Sequence, residues 1–378
     1  MKDLKVAIVT EYMTAIGGSD RIIESLLKIF PDAEIYTASF EKKNYSKFGN
    51  KVYTPKFFNW FLRKSLGRRV TVFLPFLFEQ FDLRGYDLVV SVSAGASKGV
   101  ITMPDQPHIG IICTPPRHQW DGDINIRGSM FKKIYLLGSK IISSYIRVWD
   151  VIAAKRIDYI VSISKFIKRK VYKRYRRDSV VIYPGIKDFW FEKVTEGEKE
   201  KVRNSYKLPE DFLLVVSRLY DYKRVDWAIR AAINSLKPLV IAGNGPDLRF
   251  LQKLAKGHDN IIFLPNLNDN EVRCLYNMAE VLLFCGIEDF GLIPVEAMAS
   301  GTPVFAYNTG GVTETVENAK SGYYFESESE LLRLVNEGKW KSIKPEWCIM
   351  RAQKFTEYQF ISKITKYIKD IYEKERSN

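Results

Sequence analysis

The chain has 378 residues, more than one compact hydrophobic core usually serves, so two domains are expected. A composition of 46% hydrophobic, 13% aromatic and 27% charged residues excludes a disordered or fibrous protein. Lysine and arginine number 58 against 44 acids, and the formal charge of +14 favours an anionic partner: nucleic acid, an anionic membrane face or a phosphorylated substrate.

Short apolar runs alternate with amphipathic stretches along the chain. Residues 4–10 predict a strand, followed by the glycine turn Gly17-Gly18 and a helix over 21–30. Strands follow at 33–40, 86–94, 108–114, 158–164 and 179–186. A second series opens with a strand at 212–219 and a helix at 225–235. It continues with strands at 238–246, 261–267, 281–285, 302–311 and 322–325, separated by helices around 248–256, 271–280, 295–300 and 312–319. Continuous apolar strands alternating with helices predict parallel sheets covered on both faces, hence two doubly wound α/β domains. They are expected to meet near Tyr183-Pro184-Gly185, with the polar stretch 187–211 as their connection.

The cysteines (Cys113, Cys274, Cys285, Cys348) are scattered, and only three histidines accompany them, so neither a metal site nor a disulfide framework is expected. The N-terminus reads as a strand rather than a signal peptide, and no window holds 18 uncharged apolar residues. A cytoplasmic protein with thiols acting as small apolar fillers is the expectation.

Four groups of residues bear chemistry. Gly17-Gly18 lies between a strand and a helix, where free amides and the positive dipole end suit an anion, although a plain tight turn has the same sequence. It matches neither a dinucleotide fingerprint nor a phosphate-binding loop of the Walker type. Arg218 ends an apolar strand and Lys223 follows five residues on, a fork and a point charge suited to a pyrophosphate unless both are merely solvated. Glu288 and Glu296 flank Phe290-Gly291-Leu292-Ile293, where a strand end gives way to a helix start able to hold phosphate or sugar hydroxyls. Two basic–aromatic stretches, 55–78 and 165–177, the second with eight positive charges, suit an anionic lipid surface, ahead of a solvated face and of nucleic acid.

The stretch EDFGLIPVEAMASGTPVFAYNTGGVTETV resembles the Glu-x7-Glu region of retaining glycosyltransferases of family 4. VSRLYDYKR, IAGNGP, FLPNLNDNEVRCLYNMAEV, SGYYF and, toward the N-terminus, AIGGSDR, ICTPPRHQWD and DYIVSISKFIKRKVYKRY extend the resemblance over nearly the whole chain. The N-terminal half is similar to bacterial mannosyltransferases of surface polysaccharide (O-antigen) assembly. The resemblance implies the GT-B fold, two Rossmann-like domains facing each other across a cleft. Residues 1–185 would form the acceptor-binding domain and 186–350 the nucleotide-sugar donor-binding domain, with a C-terminal helix, about 351–375, returning to the first.

By position, the resemblance implies that Arg218 and Lys223 bind the donor diphosphate, Glu296 the ribose and Glu288 the transferred sugar. The backbone of Phe290, Gly291, Leu292 and Ile293 would touch sugar and phosphates, Gly17 and Gly18 would form the loop across the cleft, and Asn266 and Leu267 would border the base. Catalysis would rest on Glu288, Arg218 and Lys223, with no cofactor and no metal beyond the nucleotide-sugar substrate. Relatives often carry a histidine where this chain has Cys113, so Cys113, Arg117 and His118 form a candidate sugar or acceptor site, with a structural role for His118 as the alternative. Asp121-Gly122-Asp123 has the Asp-x-Asp pattern of metal–nucleotide sites in another glycosyltransferase fold, but its flanks do not. The resulting expectation is a retaining hexosyltransferase taking mannose from GDP-mannose to a lipid-linked or polysaccharide acceptor at the inner membrane face. A UDP-sugar enzyme of the same fold, or a non-catalytic lipid- or nucleic-acid-binding protein on this scaffold, are the alternatives.

Overall fold

The computed structural model describes residues 4–14, 17–43, 51–56, 59–60, 71–121 and 132–375, except for the side chains of 71 and 132–141. Ala15-Ile16, Gly122, Asp123, the tail after 375 and much of the 55–78 stretch lie outside the described residues. The chain divides into two compact units, Met1–Tyr183 with Phe360–Asn378, and Pro184–Gln359.

The first unit holds a seven-stranded parallel sheet: β1 (Val6–Met13), β2 (Glu34–Phe40), β3 (Val52–Tyr53), β4 (Leu88–Ser93), β5 (His108–Ile112), β6 (Tyr159–Ser162) and β7 (Val180–Val181). Its order is β3-β2-β1-β4-β5-β6-β7. In β4 and β5 every residue is buried, as a strand covered by helices on both faces requires.

The second unit repeats the plan with β8 (Leu213–Val216), β9 (Leu239–Ala242), β10 (Ile261–Leu264), β11 (Val281–Phe284), β12 (Val304–Tyr307) and β13 (Gly322–Phe325), in the order β10-β9-β8-β11-β12-β13. In both units the first strand lies beside the fourth, and the chain winds outward from that pair in opposite directions. This leaves a crevice at the carboxyl ends of β1 and β4, and another at those of β8 and β11, where open α/β sheets take their ligands. The core of the second unit is built from β8, β9 and β11 with Ala228, Ile229, Ala232 and Leu331 from the flanking helices.

Two expectations need correction. The polar stretch 187–211 is no bare connection: a 3-10 turn Asp188–Phe191 buries Trp190, and a helix runs over Glu196–Tyr206 within the second unit. Thr195 and Glu198 cap that helix reciprocally, the Thr195 amide donating to Glu198 at 2.8 Å, and this Thr-x-x-Glu signal is visible in the sequence. The helix packs on Asp269–Met278, with Tyr206 donating to Glu271 at 2.6 Å. The helix expected over 312–319 stops at Thr315, and Ala319 takes a left-handed φ of 61°. Among the described residues no helix is long and apolar enough to cross a membrane.

Candidate active site

The site grows out of the crevice between β8 and β11. After β8 the backbone of Ser217–Leu219 presses on the turn that follows β9: Ser217 donates to Ala242 at 3.0 Å and Leu219 to Asn244 at 2.9 Å. A Cβ at Gly243, whose φ is +145°, would fall 1.9 Å from the Ser217 carbonyl oxygen. Only glycine allows this approach. The AGNGP turn is therefore what sets Arg218 at the mouth of the crevice. Arg218 is exposed, its guanidinium 5.8 Å from the Tyr220 ring.

The chain then makes a 3-10 turn, Asp221–Lys223, and Arg224 takes a left-handed φ of 50° before the helix Val225–Ser235 begins. This turn lays Lys223 over Gly286 at the end of β11, where even a Cβ would lie 3.0 Å from the Lys223 Cα. Lys223 is buried and its ammonium pairs with the Glu288 carboxylate, with side-chain exposures of 7% and 23%. Two residues 65 positions apart in sequence are thereby joined at the switch point of the sheet.

Glu288 is held from behind. Its carbonyl accepts the Gly311 amide at 2.8 Å, and Gly310, at φ +98°, lies so close that a Cβ would stand 2.4 Å from the Glu288 oxygen. Phe290 is buried edge-on against Phe355, with ring centroids 5.6 Å apart. Gly291 caps the helix Leu292–Ala299 in a left-handed conformation, so the amides of Leu292 and Ile293 start that helix free of intrahelical acceptors. Glu296 is buried in this helix and accepts the Tyr276 hydroxyl at 3.2 Å. One of its oxygens thus anchors the neighbouring helix. Asn266, at φ 63° beyond β10, is exposed beside a half-buried Leu267, and the Asn244 amide donates to it at 3.4 Å. The structure therefore brings Arg218, Lys223, Glu288 and the 290–293 backbone to one strand-end region, with Asn266 at the outer strand.

In the first unit Gly17 caps the helix Gly18–Ile29, and its amide donates to the buried Asp20 at 2.7 Å. The Gly17 amide is therefore engaged in the capping box of that helix. Cys113, half-buried, follows β5 and donates its amide to the Ser93 carbonyl at 2.7 Å; Arg117 and the exposed His118 lie on the short helix Arg117–Trp120. Asp121 pairs with Lys170 at 3.0 Å and with Arg174. Burial alone would raise its pKa, yet these two cations outweigh it and hold the carboxyl below the usual range. On the basic helix Lys165–Tyr175, Ile167, Val171 and Tyr175 form a buried spine, and Lys168 pairs with Asp178 at 2.8 Å. Part of the charge in this stretch thus serves the fold. Burial also pushes the thiols of Cys285 and Cys348 up, the latter to about 12, as inert fillers require.

Sequence reasoning missed Glu11. It lies in β1 beside β4, buried, and its carboxylate accepts from the Ser93 hydroxyl (3.0 Å), the Ala94 amide (3.1 Å) and both the amide and hydroxyl of Ser97 (2.9 and 2.7 Å). It organises the loop at the first unit's switch point, and an acid inside VAIVTEYM was the available signal. Beyond it, Lys98 and Asp150 form a fully buried pair, with Trp120 and Tyr175 each donating to Asp150 at 2.8 Å.

Residues 198–353 match the family model of glycosyl transferases group 1. The chain is 31% identical over 179 residues to the uncharacterized glycosyltransferase MJ1607 of Methanocaldococcus jannaschii, covering 44% of this chain and 46% of that one. It is 27% identical over 239 residues to the alpha-1,3/1,6-mannosyltransferase ALG2 of Saccharomyces cerevisiae, covering 52% and 46%. The chain thus spans about half the length of these curated relatives. Among solved structures it is similar to Anabaena Alr3699/HepE in complex with UDP, at TM-score 0.69 and 15% identity over 97% of this chain and all of the other. Two Rossmann-like units of this topology give the chain the GT-B fold, and the family match and the relatives together support a glycosyltransferase.

Proposed function

We propose that this chain is a retaining hexosyltransferase that uses a nucleotide-sugar, GDP-mannose, and glycosylates a lipid-linked or polysaccharide acceptor at the cytoplasmic face of the membrane. The observation that carries the reading is the meeting of Lys223 and Glu288 at the β8–β11 switch point, with Arg218 just beyond the end of β8. A nucleoside diphosphate seated there takes over the Lys223 ammonium from Glu288, and Arg218 adds its fork to the same phosphates. The released Glu288 accepts hydrogen bonds from sugar hydroxyls, and the amides at the start of Leu292–Ala299 face the phosphates. Glu296 holds the ribose, and Asn266 and Leu267 border the base.

The acceptor oxygen bonds to the anomeric carbon as the bond from that carbon to the diphosphate breaks. The electron pair leaves on the diphosphate, and the acceptor proton follows it. Arg218 and Lys223 stabilise the charge that develops on the leaving oxygen, and the reading assigns that neutralisation to them rather than to a metal. Mannose as the sugar is supported by the mannosyltransferase among the relatives.

A UDP-sugar enzyme is the second reading, favoured by the UDP held in the Anabaena neighbour of the same fold. A panel of nucleotide-sugars read by thermal shift and by donor hydrolysis separates the two. Stabilisation by GDP and GDP-mannose is expected, and stabilisation by UDP without GDP overturns the mannose assignment. Glu288→Ala and Lys223→Ala test catalysis itself: both proteins should stay folded and lose turnover, whereas a binding module on this scaffold would show no turnover to lose.

A further inference from the structure

The charge of this protein is divided unequally. The first unit carries 36 lysines and arginines against 19 acids, the second 22 against 25, so the whole surplus belongs to the first. The same unit exposes large apolar side chains that, among the described residues, no strand or helix of the unit covers. On the helix Lys132–Lys155, Tyr145, Val148 and Ile152 recur at helical spacing with exposures of 48% to 67%, while Ile146, Asp150, Ala153 and Ala154 face the core. Phe73 and Phe76, at the helix Leu74–Glu79, and Ile101 beyond β4 are likewise more than half exposed.

These segments are tied together. Glu79 accepts the Trp149 indole N–H at 2.9 Å and Arg156 at 2.6 Å, and Arg156 also donates to the Gly99 carbonyl at 2.8 Å. One polar clamp therefore fixes the helix 74–79, the approach to Ile101 and the end of the long helix that bears Ile152. The basic helix Lys165–Tyr175 joins the same layer: Tyr175 donates to Asp150 at 2.8 Å, and right-handed crossovers put both helices on one face of the sheet. Its outward side carries the exposed Lys165, Arg169, Lys173 and Arg176.

We infer that this apolar shelf, flanked by those cations, is the surface on which the protein docks on an anionic lipid bilayer. Aliphatic side chains such as Val148 and Ile152 gain nothing from a nucleic-acid backbone, whereas they insert among acyl chains while lysines and arginines meet the headgroups. Burial of Ile167, Val171 and Tyr175 leaves Tyr172 as the exposed large aromatic of the basic helix, so that helix contributes chiefly charge. The lipid-linked acceptor rests on the transferase reading; the docking surface does not.

The test uses the full chain and sedimentation with vesicles of phosphatidylcholine alone or mixed with phosphatidylglycerol. Wild-type protein should sediment with the anionic vesicles at low salt and stay in solution with the neutral ones. Tyr145→Ser/Val148→Ser/Ile152→Ser should lower the partition coefficient at least tenfold, and Arg169→Glu/Lys173→Glu should weaken it and flatten its salt dependence. All three positions of the first variant are exposed, so its melting temperature should match wild type, and the single variant Tyr145→Glu repeats the test with one change. Failure of the wild type to bind, undiminished binding by the folded serine variant, or a wild-type dimer that the same variant makes monomeric without loss of vesicle binding would each overturn the inference. Binding of free GDP and UDP, measured in parallel, reports on the donor site separately, so a failed docking surface and a failed transferase reading give different results.

Discussion

Replacing Glu288 by glutamine removes the anion that Lys223 faces while keeping the shape of the side chain. Two unit charges about 4 Å apart at an effective dielectric near 20 attract by about 4 kcal/mol before desolvation is counted. Glu288 is 23% exposed and Lys223 only 7%, so solvent screening and the cost of desolvating the lysine leave about 1–2 kcal/mol net. The ligand-free variant should lose that amount of stability, a fall of about 2–8 °C in melting temperature for a unit of this size. Binding of a free nucleoside diphosphate should move the other way. In the wild type the diphosphate competes with Glu288 for the ammonium; in the variant it meets a buried cation lacking this carboxylate partner. Affinity for GDP or UDP should therefore rise about 5–30-fold, while turnover of the nucleotide-sugar falls because the sugar loses a charged acceptor. Titration calorimetry with GDP and UDP and scanning calorimetry with and without ligand read the first two effects, and a donor-hydrolysis assay reads the third. Unchanged or weaker diphosphate binding at an unchanged melting temperature would show that Lys223 and Glu288 are not exchanged on binding, and the reasoning would be wrong.

Gly310→Ala should destabilise by about 2 kcal/mol or more and reduce turnover, because a Cβ at φ +98° would stand 2.4 Å from the Glu288 carbonyl oxygen. Gly197→Ala, in a helix with nothing within 4 Å, should be neutral or stabilising by about 0.5–1 kcal/mol, so paired urea melts separate backbone crowding from loss of glycine as such. Lys98→Met should cost about 3–5 kcal/mol by leaving the buried Asp150 carboxylate without its ammonium, whereas Lys168→Met, at a pair with 40% and 79% exposure, should cost less than about 1 kcal/mol. His108 is fully buried beside Ser91, and burial lowers its pKa from 6.5 to about 4. The unfolded chain then binds the proton first, so this contribution is complete above pH 6.5 and is lost as pH falls toward 4, at a slope approaching about 1.4 kcal/mol per pH unit. The melting temperature should fall accordingly between pH 7 and 5, and His108→Gln should flatten that dependence.

Much of this protein was legible in one dimension, because parallel strands buried on both faces must be apolar throughout. Runs such as LVVSVS, HIGII and VLLF announced themselves for that reason, and with them the doubly wound plan. The helix start after the strand Val281–Phe284 was readable too, because Gly291 admits the left-handed turn from which Leu292–Ala299 begins. The amphipathic helix Glu196–Tyr206 was passed over although Thr195 and Glu198 marked its start, because its polar composition outweighed a capping signal of two residues. Glu11 was passed over because a single acid in a strand says nothing about the four donors that meet it from 82 to 86 residues away.

What the sequence determined by itself were local necessities: where strands run, where only glycine fits, and which segments carry charge. The tertiary structure decided which of those segments meet. It set Lys223 against Glu288, gave Asp121 the task of holding Lys170 and Arg174, and sorted Ile167, Val171 and Tyr175 of the basic helix into the core while leaving Tyr145, Val148 and Ile152 of Lys132–Lys155 exposed. The reason is physical. Helical spacing tells which residues share a face, but burial and charge pairing depend on what the sheet order brings against that face, and no local pattern contains that information.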